Sequence, residues 1–392
     1  MFQNVMVVSA ARTAVGSFGG SLKDFETTKL GEIAIRAAVE RAGIAPDCVE
    51  EVILGCVGQY GLNGFLARIA ALNAGLSIHS SAQTVNRLCA SGLQAVVTGA
   101  TAIDHRDMDI VVAGGAESMS NFPYCSYQTR FGARMGDIVT KDALTTALAE
   151  PFTGTHIAMT AENIAEKFGF TREQVDAYAL ESQRRARAAI ETGRFCEQII
   201  PVEVREKKAT RIFDTDEHPR ETSMEKLGKL KPIFKKDGLV TAGNASGIND
   251  AAAAMVLMHG DKAREMGITP IARVVDYALA GVDPNYMGLG PIDSTRKLFE
   301  RTGLSAGEID LFELNEAFAS QAMACIQELG LDGDKVNVNG SGISLGHPIG
   351  ATGAVISVKL LYELKRIGGR YGIATLCIGG GQGLSVLYEN LR

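Results

Sequence analysis

Residues 39–55, VERAGIAPDCVEEVILG, and residues 299–315, FERTGLSAGEIDLFELN, align without a gap at an offset of 260. Each reads as the end of an amphipathic helix, a glycine C-cap (Gly43, Gly303), a short loop and a buried strand. Further landmarks recur in the same order. Ser91-Gly92 opens an apolar helix that leads to a strand ending Ala113-Gly114-Gly115, and Thr352-Gly353 opens one that leads to a strand ending Ile378-Gly379-Gly380. A chain duplicated in this way builds the same α/β unit twice and packs the two copies together. Helices alternating with apolar strands imply mostly parallel sheets with helices on their faces. Sites are expected where glycine-rich turns meet helix N-termini.

Between the two copies the composition changes. Residues 119–249 hold charge-rich segments, Arg184-Arg185-Ala186-Arg187 and Lys226 to Lys236, and an acidic loop, Asp214-Thr215-Asp216-Glu217. Their helices, Thr160 to Phe168 and Arg172 to Thr192, are amphipathic rather than fully apolar. The stretch reads as an insertion over the core, a lid or a binding platform. The expected division is residues 1–118, continuing at 250–270, for the first half, 119–249 for the insertion and 271–392 for the second half. A length of 392 residues accommodates about two to three such units.

Bulk properties exclude several classes. A net charge of −6 leaves no basic footprint for nucleic acid. No apolar run approaches the ~20 residues of a membrane span, and no signal segment precedes the strand at Val5 to Ser9. The seven cysteines are widely spaced with no CxxC pair, which argues against a disulfide framework and a zinc site. A reducing, cytoplasmic setting is expected. The 44 glycines point to tight turns and close backbone approaches.

Two cysteines and one histidine sit beside that glycine punctuation. Cys89 follows the strand-like Ala82-Gln83-Thr84-Val85 and precedes a helix of small and apolar residues, Ala90 to Ile103. A thiol at a helix N-terminus meets free N–H groups and partial positive charge, which lower its pKa. His347, between Gly346 and Pro348, lies at another turn into a helix, where it can deprotonate a thiol or support an oxyanion. Cys377 ends the strand Gly372 to Leu376, and the backbone around Gly379 can form an oxyanion hole. Asn315 follows the strand Ile309 to Leu314; it either polarises a carbonyl or water, or caps the next helix. Each of the three reactive residues has a bland alternative as a buried, satisfied side chain. The remaining glycine clusters match neither G-x-G-x-x-G after a strand nor a phosphate loop, which argues against a dehydrogenase or kinase.

In combination the motifs resemble the thiolase family, the acetyl-CoA acetyltransferases and β-ketothiolases, from about residue 4 to residue 390. They are NRLCASG around Cys89, VVAGGAESMS, TAEN at 160–163, TAGNASGIND at 241–250, NEAFA at 315–319, GHPIGATG at 346–353 and CIGGGQG at 377–383. The resemblance implies a thiolase-like α/β fold: two βαβαβαββ halves with five-stranded mixed sheets in layers, plus an inserted loop domain that binds coenzyme A. It implies Cys89 as the acylated nucleophile, His347 as its activator and Cys377 as acid and base. Backbone N–H groups of Cys89 and Gly379 would hold one oxyanion, and His347 with an Asn315-bound water the other. His156, Phe234, Ala242, Ser246, Ala317 and Phe318 would surround pantetheine, Met287 the acyl group, and Arg220 would meet the phosphates. The substrates implied are acetyl-CoA, acetoacetyl-CoA or longer 3-ketoacyl-CoA, and CoA, with no resident cofactor or metal, in fatty acid metabolism. A homotetramer built as a dimer of dimers is also implied.

The chain departs from the family pattern at several positions. Ala90 replaces a glycine after the nucleophile, Ile157 and Ala158 replace methionine and glycine, and Leu314 replaces alanine. Tyr60-Gly61-Leu62-Asn63-Gly64-Phe65 replaces a more polar pattern, while Gly340 to Leu345 is closer to β-ketothiolases of broader acyl range. A decarboxylating ketoacyl synthase would place a histidine at 315 and lack Cys377. A non-catalytic acyl-CoA-binding relative would not need all three reactive residues.

Overall fold

The computed structural model describes residues 1–206 and 209–392. The first copy runs β1 (Val5–Thr13), α1 (Thr27–Ala42), β2 (Glu51–Gly55), β3 (Ser81–Val85), α2 (Ser91–Asp104) and β4 (Ile110–Ser118). The intervening region carries α3 (Ala158–Phe168) and α4 (Arg172–Glu191), the latter opened by a Thr171/Gln174 capping box. The chain then returns as β5 (Asn249–His259). The second copy runs β6 (Ala272–Gly281), α5 (Gly290–Thr302), β7 (Leu311–Leu314), α6 (Ala319–Leu329), α7 (Thr352–Ile367), β8 (Tyr371–Ile378) and β9 (Gln382–Asn390). The repeated segment folds as read: α1 and α5 end on Gly43 (φ 68°) and Gly303 (φ 73°), each followed by a 3-10 turn and a strand.

Strand order is β3-β2-β4-β5-β1 in the first copy and β7-β8-β9-β6 in the second. The two join through an antiparallel contact of β1 with β6, Met6 to Arg273 and Val7 to Ala272. The expectation of mostly parallel sheets fails. β2 is parallel to β3 and β4, and β7 to β8, but β4–β5, β5–β1, β8–β9 and β9–β6 are antiparallel. The β8–β9 link is a hairpin through Gly380 and Gly381, both at positive φ, so no crossover helix intervenes. A fifth strand is also missing from the second copy, where Val336 makes only an isolated bridge to Phe312. Beside it the Asn337 side chain takes the ladder's place, accepting from the Leu314 N–H at 2.9 Å and donating to its carbonyl at 2.8 Å.

The layers follow from which faces are apolar. α2 and α7 lie together between the two half-sheets, sharing one core that draws on both copies, from Leu93 and Val96 to Val355 and Leu360. Glycine permits the close crossing: a Cβ at Gly92 would stand 2.8 Å from the Ala354 nitrogen, and one at Gly353 2.9 Å from the Leu93 Cα. α1 covers the outer face of the first half-sheet, and α5 and α6 that of the second.

The charge-rich region is anchored rather than loosely draped. Ala186, Ala189, Phe195, Val202 and Phe213 enter the core under the first half-sheet, and Ile199–Ile200 pairs in parallel with Arg12–Thr13. The acidic loop is exposed at Asp214, Thr215 and Glu217 but anchored by its buried Asp216. Asp216 receives both terminal nitrogens of buried Arg12 at 2.7 and 2.8 Å, and Glu217 accepts from the Ser17 N–H at 2.9 Å. Among the described residues no helix is long and apolar enough to cross a membrane, and no group of three His, Cys, Asp or Glu is placed to hold a metal.

Candidate active site

The turn between β3 and α2 presents Cys89. Asn86 Oδ1 accepts the Leu88 N–H at 2.9 Å, while Ser91 Oγ accepts from the Arg87 N–H at 2.9 Å and donates to the Leu88 carbonyl at 2.6 Å. These bonds hold Leu88 at φ 47°, a left-handed conformation costly for a bulky side chain. Cys89 is left half-buried, with the backbone N–H of Gly379 and its own N–H directed at its sulfur. The expected drop in its pKa does not occur. Burial pushes the thiol up to about 11 and outweighs those two N–H groups, and the buried Glu117 carboxylate adds to the rise. Cys89 therefore rests as a thiol and needs a base.

His347 is suited to that task. Its Nδ1 lies 2.7 Å from Thr352 Oγ1, and the Thr352 hydroxyl donates to the Pro348 carbonyl at 2.9 Å. With the hydroxyl proton so committed, the imidazole proton sits on Nδ1 and leaves Nε2 as an acceptor. Burial pushes the His347 pKa down to about 4, which keeps the ring neutral. The loop is fixed through the backbone: the His347 N–H donates to Asn249 Oδ1 at 2.9 Å, and the Gly350 N–H to Glu117 at 2.8 Å. Glu117 also accepts from the N–H groups of Val57 and Gly58, tying two chain segments to the one carboxylate on β4.

Cys89, His347 and Gly379 share the wall of a mostly apolar cavity of about 440 Å³ with His156, Phe234, Ala242, Ser246, Met287, Ala317 and Phe318. His156 and Phe234 stack at 4.1 Å, and the Ser246 N–H donates to the Ala317 carbonyl at 2.9 Å. Arg220 lies apart, on an adjoining cavity of about 600 Å³ with Thr222 and Lys226. Ala242, Ala245 and Ser246 to Ile248 belong to both walls, so the two cavities are neighbours along that segment.

Two expected residues stand off the wall. Cys377 is fully buried in β8, packed with Ala158, Met287 and Phe318, and burial raises its pKa well above the usual thiol value. Asn315 is buried, and neither polar atom of its amide has a hydrogen-bond partner. It caps no helix, since α6 begins at Ala319 with Phe318 as N-cap. A buried unpaired amide costs about 1–3 kcal/mol, so Asn315 calls for a polar partner outside the protein's own groups.

Two family models cover nearly the whole chain: the thiolase N-terminal domain matches residues 5–261 and the thiolase C-terminal domain residues 268–390. The chain belongs to the thiolase family. It is 51% identical to the β-ketothiolase BktB of Cupriavidus necator and 49% identical to an acetyl-CoA acetyltransferase of Syntrophomonas wolfei, over all of both chains in each case. Human mitochondrial 3-ketoacyl-CoA thiolase superposes with a TM-score of 0.97 at 43% identity, covering all of both chains. The same human enzyme in complex with CoA superposes at 0.96, with 44% identity over 99% of this chain and 98% of that one. The thiolase fold and acyltransferase class follow.

The departures from the thiolase pattern land in different places. The Ala90 methyl is buried in the core with Leu93, away from the cavity. Ile157 does face the cavity, and its Cδ1 would lie 3.4 Å from a Cβ at Gly379. Ala158 packs near Cys377, and Leu314 is buried beside Asn337. Gly61–Phe65 forms an outlying 3-10 turn with Leu62 and Phe65 exposed. Sequence reasoning passed over Glu117, Asn249 and Thr352, which hold the thiolase site together. A signal existed for Glu117, a carboxylate in a fully buried strand whose only other polar side chain is the terminal Ser118. No comparable signal marked Thr352.

Proposed function

We propose that this chain is an acetyl-CoA C-acetyltransferase that joins two acetyl-CoA molecules into acetoacetyl-CoA and CoA, and runs the reverse thiolysis, through an acyl-Cys89 intermediate. The observation that carries this reading is Cys89 Sγ, facing two backbone N–H groups, on the same apolar cavity as a neutral His347 with Nε2 free to accept. His347 Nε2 takes the thiol proton, and the thiolate adds to the acetyl carbonyl. The N–H groups of Cys89 and Gly379 hold the oxyanion, each contributing about 3–4 kcal/mol. As the C–S bond to CoA breaks, the leaving thiolate takes the proton of Cys377, which burial has kept protonated.

The Cys377 thiolate then removes an α-proton from the second acetyl-CoA. The enolate oxygen is stabilised by His347 and by a water held on the unpaired Asn315 amide. Carbanion attack on acyl-Cys89 forms the new C–C bond and expels the Cys89 thiolate, which takes back the proton held on His347. His156, Phe234, Ala242, Ser246, Ala317 and Phe318 receive pantetheine, Met287 lines the acyl end, and Arg220 on the adjoining cavity meets the phosphates. No resident cofactor enters these steps.

A cytoplasmic homotetramer active in fatty acid metabolism completes the proposal. Phe131 and Met135, each 96% exposed on an outlying loop, and the open edge of β3 support burial against further copies. Thiolysis of 3-ketoacyl-CoA substrates of four, six and ten carbons, with Cys89→Ser as control, tests the activity. Turnover at four carbons with acyl label on Cys89 is expected; wild type no better than the control at every length would sink the enzymatic reading.

A further inference from the structure

His218 lies in the inserted region, on the loop that runs from the Asp216 clamp to Arg220. It is 9% exposed, lines the 600 Å³ cavity, and its buried Nδ1 has no hydrogen-bond partner. The ring position is built rather than incidental. Gly247 leaves room for it, since a Cβ there would overlap Cε1 and stand 2.6 Å from Nε2. The neighbouring backbone is pinned as well: the Arg220 N–H donates to Gln183 Oε1 at 2.9 Å, and Gln183 Nε2 donates to the Ile343 carbonyl at 3.3 Å. Burial and the nearby Arg220 guanidinium push the His218 pKa down to about 4, so the ring carries no charge near neutrality. Positive charge in the cavity comes from Arg220 and Lys226 instead.

We propose that His218 is a coenzyme-binding residue whose Nδ1 hydrogen-bonds an uncharged polar group of the CoA moiety, beside the phosphates rather than on them. The inference rests on the acyl-CoA reading above. The cavity shares the wall segment Ala242, Ala245 and Ser246 to Ile248 with the cavity of Cys89, which places His218 next to the space where a thioester at Cys89 extends its CoA end. A hydroxyl, an amide or an exocyclic amine fits a neutral imidazole; a phosphate oxygen, an acceptor only, fits the two cations better. The unpaired nitrogen is then satisfied on binding, and its desolvation is no longer a standing cost.

The test compares His218→Phe, which keeps a ring without nitrogens, with His218→Asn, whose amide can place a polar atom near that of Nδ1. Each is assayed by thiolysis of the acetoacetyl thioesters of CoA, of pantetheine and of N-acetylcysteamine, with the matching free thiol as acyl acceptor in each case. His218→Phe should raise KM for the CoA thioester about five- to tenfold with kcat nearly unchanged, and His218→Asn should recover part of that. The N-acetylcysteamine thioester, too short to reach the second cavity, should be turned over equally by wild type and variants. A penalty that persists with pantetheine thioester assigns the partner to pantothenate; one that vanishes there assigns it to the nucleotide. No penalty with CoA, or an equal penalty on all three thioesters, overturns the proposal. A wild type inert with all three would instead overturn the acyl-CoA reading.

Discussion

The two copies of the α/β unit share a backbone plan and divide the chemistry unequally. Both send a central helix, α2 or α7, out of a glycine-rich turn, and the Ser91-Gly92 and Thr352-Gly353 pairs make the same close crossing. At the first turn stands Cys89, where the second copy has Gly350; the second turn instead supplies His347. Strand register extends the correspondence. Glu51 pairs with Val111, and Leu311 with Gly372, so Cys377 matches Ala116 and Asn315 matches Gly55. Under the proposed mechanism the first copy contributes the nucleophile, and the second contributes the base, the second thiol and the amide. Glu117 ties them, reaching from β4 to the Gly350 N–H. Symmetry supplies the cleft, and its breaking supplies the distinct groups that the proposed half-reactions require.

Removing the first copy's contribution should have the largest effect. Cys89→Ser is expected to lower thiolysis by at least about 10⁴-fold with thermal unfolding unchanged. Acyl label appearing on another residue would show that the nucleophile lies elsewhere. In the second copy, Cys377→Ala should block condensation while still allowing acylation of Cys89, read by trapping the acyl-enzyme. Loss of acylation there would erase the division between the copies.

The tie and the support are expected to matter less. Glu117→Gln leaves an amide where three backbone N–H groups need an acceptor, and should cost about 2–3 kcal/mol in denaturant unfolding while lowering kcat. Thr352→Val removes the acceptor that holds the His347 proton on Nδ1, and should lower kcat about ten- to a hundredfold with little change in stability. An unchanged kcat would mean the tautomer is set by something else. Asp216→Asn should destabilise the fold by about 3 kcal/mol by stranding Arg12, without altering the chemistry of acylation.

A final prediction concerns pH. His218, with its folded pKa near 4 against about 6.5 unfolded, favours the neutral ring in the folded state. Its contribution is present above pH 6.5 and is lost as pH falls towards 4, because the unfolded chain binds the proton more tightly. Denaturant unfolding of His218→Phe should therefore fall less steeply than wild type between those values. Identical slopes would remove His218 from the acid response.

Local regularities made much of this molecule legible. The gapless repeat marked two helix–turn–strand units because capping glycines and buried strands leave strong signatures, and the ends of α1 and α5 obey them. The Cys89, His347 and Cys377 motifs were visible because each combines a reactive side chain with turn-forming glycine. Strand direction was not: whether β5 returns antiparallel depends on where a long insertion delivers the chain. Nor was the anchoring of the acidic loop, where Asp216 meets the buried charge of Arg12, about two hundred residues away.

The same division holds inside the site. Residue types, their order and the turns that carry them are properties of short stretches of chain, so the duplication, the family and the motifs holding the candidate reactive groups could be read from the amino acids alone. Protonation and partnership belong to the assembled environment. A helix N-terminus favours a Cys89 thiolate, yet burial among residues from both copies outweighs it. Asn315 became a candidate ligand of water or substrate only when folding left its amide without a partner. Desolvation depends on what all the other segments place nearby, and that sum exists only in the folded protein.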